Sequence, residues 1–65
     1  MNYYERIQKS IDYIESNIDN LIDLNDVAKK AFMLPSNFYR MFFAFVGYSV
    51  KEYIRLRRKN KFGSI

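Results

Sequence analysis

Cysteine, histidine and tryptophan are absent from this 65-residue chain, and Pro35, Gly47 and Gly63 are its only proline and glycines. Without Cys or His there is no disulfide framework, no Cys/His zinc site, and no thiol or imidazole catalysis. The lack of Cys does not itself reveal the compartment but fits the cytoplasmic location that is expected where neither a membrane span nor a signal peptide is found. The longest strictly apolar run is Met41 to Val46, six residues, against the roughly 20 that a membrane-spanning helix needs. The first residues lack the basic and then apolar order of a signal peptide, so no membrane partner is expected. No acid/base pair, nucleophile with a base, or Gly-rich phosphate loop is present. The chain is therefore not expected to be an enzyme, nor to use a cofactor, metal or small-molecule ligand. A chain this short leaves much of its surface in water, and must fold by packing its elements or by pairing with another chain.

What is abundant is charge, unevenly placed, and aromatic side chains. Residues 1–26 hold six carboxylates against Arg6 and Lys9, and residues 27–65 hold nine Lys and Arg against Glu52 alone, within a net charge of +4. A basic half on a globular chain points to a polyanion partner, a solvated basic helix being the plainer alternative. Of the 12 Tyr and Phe, eight lie between Phe32 and Tyr53.

With so few breakers the chain reads as helices joined by short turns, an all-α class. Tyr4, Ile7, Ile11, Ile14 and Ile18 recur at steps of three and four, the stripe of an amphipathic helix. Asn2 and Glu5 have the spacing of a capping pair, which predicts a first helix from Tyr3 to about Asn17, with its carboxylates turned to water. Asp23 opens a second helix that carries Leu24, Val27, Ala28 and Ala31 and ends near Ala31 or Phe32. Pro35 suits the first position of a third helix, which carries Phe38, Met41, Phe42 and Phe45 on its core side and stops before Gly47. Ser49 and Glu52 form a capping box for a fourth helix over Tyr53, Ile54 and Leu56. Beyond it, Arg57 to Lys61 has no apolar partner and is expected to fray or reach outward.

Two short helices joined by about three residues make a helix-turn-helix layout, in which the second helix can enter a major groove while the first crosses the backbone. With 38, 41, 42 and 45 inward, Ser36, Tyr39, Arg40 and Phe43 fall on the opposite surface. Arg40 can form two parallel hydrogen bonds to guanine O6 and N7. Its alternative is an ion pair with a carboxylate such as Asp26. Asn37 flanks it and suits a base edge or a phosphate. Lys29 and Lys30 are candidate phosphate contacts, and the run from Arg55 to Lys61 is either a phosphate clamp or a solvated tail. Phe43 either wedges against DNA sugar and thymine methyl groups or belongs to a protein–protein surface, which makes it a candidate homodimer interface.

Asp23-Leu24-Asn25-Asp26-Val27-Ala28, Phe38-Tyr39-Arg40-Met41-Phe42 and Gly47-Tyr48-Ser49-Val50-Lys51-Glu52-Tyr53-Ile54 follow at ungapped spacing. Together they resemble the first helix-turn-helix of AraC/XylS-type bacterial transcription regulators, with the family's Arg-x-Phe pair, Gly-x-Ser turn and Tyr-Ile opening of a linker helix. The resemblance runs from about residue 4 to 58. It implies a homeodomain-like three-helix core plus linker helix, and sequence-specific binding to double-stranded DNA. Ser36, Tyr39 and Arg40 would face bases, and Arg55, Arg57 and Arg58 would lie toward phosphates or the interdomain face. The family joins two such units, so residues 1–65 are expected to form a single subdomain with the second unit absent. The chain departs from the family pattern at Phe32, where Gly is usual in the turn, and at Leu34, where a Ser cap is usual. It also departs at Phe43 and Phe45, usually charged, and at Lys59, usually apolar. The alternative expectation is a regulator fragment that self-associates and does not bind DNA.

Overall fold

A computed structural model describes the backbone over residues 2–63 and the side chains over residues 2–59. Four helices follow in order, α1 (Tyr3–Ser16), α2 (Leu24–Lys30), α3 (Pro35–Val46) and α4 (Val50–Gly63), with no strand among the described residues. Each start has a local polar or steric cause. The Glu5 amide donates to Asn2 Oδ1 at 2.8 Å, the Asn25 amide to Asp23 Oδ1 at 2.8 Å, and the Glu52 amide to Ser49 Oγ at 3.1 Å. These bonds satisfy amides that the first turn of a helix leaves without partners. Pro35 occupies the first turn of α3, where its missing N–H costs nothing. Gly47 ends α3 at φ 90°, and a Cβ there would meet nothing within 4 Å. The backbone conformation, not a lack of space, calls for glycine.

The core draws on all four helices and the turns between them. Ile7 and Ile14 come from α1, with Ile18 just beyond it; Val27 and Ala28 come from α2, with Ala31 capping it. Phe38 and Phe42 come from α3, and Val50 and Ile54 from α4. The α2 contribution is small in volume, and the two Phe rings fill the centre, their centroids 5.6 Å apart. Tyr53 meets Phe42 edge-on at 5.5 Å, which carries the aromatic contact into α4. Ser10 is fully buried and escapes a search for apolar residues; its hydroxyl donates to the Ile7 carbonyl at 2.6 Å, which removes the cost of burying it.

Two stripe positions differ from expectation. Tyr4 is 64% and Phe45 48% exposed. They meet edge-on at 6.4 Å at the rim of the core, so helical period places both on the correct side but beyond the depth that the crossing of α1 and α3 covers.

The basic end of α4 differs more. The backbone stays helical to Gly63. Arg57 and Arg58 do not reach outward but turn onto α1 and the turn after it. Arg57 Nε and Nη2 donate to the two oxygens of Glu15 at 2.8 and 3.1 Å, and the Tyr53 hydroxyl donates to Glu15 Oε2 at 2.9 Å. Glu15 thus points into the α1–α4 contact rather than to water. Arg58 Nε and Nη2 donate to the carbonyls of Ile18 and Asn20 at 3.1 and 2.6 Å. The physical reason is a local deficit: α1 has no basic residue in its last turn, and the carbonyls there and beyond attract a cation. The side chains of Asn60 and Lys61 lie outside the described residues.

Candidate nucleic-acid interface

The direction of α3 is set by the turn that precedes it. The Phe32 amide donates to the Lys29 carbonyl at 2.9 Å and the Met33 amide to the Ala28 carbonyl at 3.2 Å. This pair of bonds is a Schellman closure of α2, and it requires its central residue to be left-handed. Phe32 fills that place at φ 58°, the only non-glycine residue with positive φ among those described. Leu34 then precedes α3 without a side-chain cap bond.

With Phe38 and Phe42 buried, the opposite side of α3 presents Ser36, Tyr39, Arg40 and Phe43, all exposed. Arg40 does not pair with Asp26; its Nη2 donates to Asn37 Oδ1 at 3.0 Å, one helical turn back. One of the five donors of the guanidinium is thereby used within the helix, which leaves four. The three residues expected to face bases, with Asn37 beside them, therefore share one solvent-facing surface. Phe43 lies on the same outward side, 58% exposed.

The expected phosphate contacts divide. Lys29 and Lys30 are exposed in the last turn of α2, where cations suit the helix dipole. Lys30 Nζ also stands 5.3 Å from the centre of the Tyr13 ring. Arg55 is exposed on α4 and pairs with Glu52. Arg57 and Arg58 are engaged with α1, as described above. The Glu15 hydrogen bond and charge hold the Arg57 guanidinium protonated beyond its ordinary range. Their partners lie 38 to 42 residues away in sequence, so no local spacing announces these contacts.

A groove of about 670 Å³ flanks the α3 face, bounded by the first turns of α1, the turn before α3, and α3 itself. Arg6 and Arg40 both line it, and no carboxylate does. Arg6 carries its guanidinium carbon 5.6 Å from the centre of the Tyr3 ring. The (i, i+3) spacing of Tyr3 and Arg6 is the one sequence signal for this contact.

Over 57 residues the chain is 42% identical to the uncharacterized HTH-type transcriptional regulator YbfP of Bacillus subtilis (strain 168). The match covers 86% of this chain and 19% of that protein, so the chain spans about a fifth of the length of this relative. No family model matches the chain, and no solved structure does. Four helices, a Schellman turn and this similarity agree on the fold, a small all-α helix-turn-helix domain. No described helix is long and apolar enough to cross a membrane.

Proposed function

We propose that this chain is a DNA-binding module of a transcription regulator, of the AraC/XylS type, with α3 lying in the major groove. The observation that carries the reading is the outward face of α3, where Ser36, Tyr39 and Arg40 stand exposed together and Asn37 orients the Arg40 guanidinium. Arg40 reads guanine through its remaining donors, Ser36 and Tyr39 meet neighbouring base edges, and Asn37 serves a base edge or phosphate. Lys29, Lys30 and Arg55 supply phosphate contacts from α2 and α4. Arg57 and Arg58 belong chiefly to the scaffold in this reading, since the donors that hold Glu15 and the two backbone carbonyls are committed within the chain. One copy binds weakly because a single module buries little surface, and a two-fold dimer supplies two reading helices.

Salt-titrated binding to duplex DNA tests this. Log affinity falls linearly with log salt for the wild type. Arg40→Ala relaxes preference at one base position by about 1–3 kcal/mol. Binding that is undetectable or independent of salt removes the proposal. The exposure of Phe43 favours a second reading, a self-associating module without DNA binding. Under it Phe43→Glu converts a dimer to a monomer in sedimentation, and a wild-type monomer at high concentration rules it out.

A further inference from the structure

We infer that Arg6, on α1, is an additional contact to the DNA phosphate backbone, so that the interface continues from α3 across the flanking groove onto the first helix. This rests on the reading of α3 as the DNA-facing helix. Three observations carry it. Arg6 and Arg40 line the same groove, so a duplex engaged by Arg40 brings its backbone to the groove mouth. The lining holds two guanidiniums and no carboxylate, so the residues that bound the groove favour an anion in it. Arg6 Nε is buried and has no hydrogen-bond partner, although buried N–H groups nearly always have one.

The last point separates Arg6 from the other arginines. Arg57, Arg58, Arg55 and Arg40 each donate to an oxygen within the chain. The Arg6 side chain makes no hydrogen bond or ion pair among the described residues; its guanidinium lies against the face of Tyr3. Ring contact does not use the N–H donors, so a planar pair of oxyanion acceptors can draw the fork outward without breaking a hydrogen bond of the side chain. A phosphodiester oxygen pair at the groove mouth supplies those acceptors. Drawing the guanidinium outward from Tyr3 brings Nε to them as well. The apolar part of the lining, Met33, Leu34 and Met41, offers no acceptor stronger than a thioether sulfur from its side chains.

The test is a salt titration of duplex binding by the 65-residue chain and by Arg6→Gln and Arg6→Lys. Arg6→Gln is expected to lower the magnitude of the log–log salt slope by about 1, uniformly across DNA sequences, and Arg6→Lys to keep the wild-type slope. From 50 to 200 mM salt, the affinity gap between wild type and Arg6→Gln then narrows about threefold to fourfold. An unchanged slope in a folded Arg6→Gln, with wild type binding, overturns this inference and leaves the reading of α3 standing. Failure of the wild type to bind removes both. A measurement that needs no variant is the Arg6 Nε–H resonance, which is expected to shift on adding duplex. Inorganic phosphate at matched ionic strength is the rival source; a shift with phosphate and none with duplex overturns the proposal.

Discussion

Phe32 holds a backbone conformation that costs an L-residue with a Cβ about 1–2 kcal/mol and costs glycine little. At φ 58° it closes the Schellman pair from which α3 departs, and its side chain is 62% exposed, so burial returns little of that cost. The surrounding hydrogen bonds over-determine the turn and keep the residue there. Replacing it by glycine leaves those bonds in place and removes the Cβ clash, at the expense of a more flexible unfolded chain. Phe32→Gly is expected to stabilise the domain by about 1 kcal/mol, read as a higher urea midpoint at unchanged slope. A lower midpoint would show that the Phe32 side chain contributes more than its exposure suggests.

The helices themselves differ in how well their ends are satisfied. α1, α2 and α4 each begin with a side-chain oxygen on an early amide. α3 begins at Leu34, which offers none, and Pro35 offsets only one of the amides involved. Leu34→Ser is expected to add about 1 kcal/mol through a new cap bond, since Leu34 is 71% exposed and buries little to lose. Thermal melting of the single variant checks this. The same contrast explains what could be read in advance. Helix starts and the Gly47 stop were legible because each rests on residues within four positions of one another. The outward face of α3 was legible because period 3.6 follows from Phe38 and Phe42 alone. The docking of α4 was not, because Glu15 lies about 40 positions from Tyr53 and Arg57 and nothing near Arg57 marks it as a partner. Nor was the exposure of Phe45, which depends on where α1 crosses α3. The groove beside Arg40 was hidden for the same reason: Arg6 reaches it only through the fold.

Across the whole molecule, the carboxylate of Glu15 joins α1 to α4 through Tyr53 and Arg57. This couples stability to alkaline pH. The Tyr53 hydroxyl is pushed up from its ordinary 10.0 to about 12, first by burial, then by its hydrogen bond to Glu15 and that carboxylate's charge, with Arg57 opposing. The folded state therefore favours the neutral hydroxyl. Its contribution is complete below the unfolded value near 10, and is lost as pH rises toward 12. Urea midpoints measured from pH 9 to 12 are expected to fall in that window for the wild type and to fall less for Tyr53→Phe. Equal falls in both would mean that Tyr53 does not carry the dependence.

The two bonds from Arg58 to the carbonyls after α1 have a kinetic consequence. They close a loop of about 40 residues, and loop-closure entropy makes such contacts slow to form. They are expected to be absent from the rate-limiting ensemble and to form on its native side. Arg58→Ala, costing about 1 kcal/mol, should then leave the refolding rate nearly unchanged and speed unfolding roughly fivefold. In a stopped-flow chevron the right arm rises and the left arm stays. The arginine is, on this account, a latch that determines how long a folded molecule lasts rather than how quickly it is made.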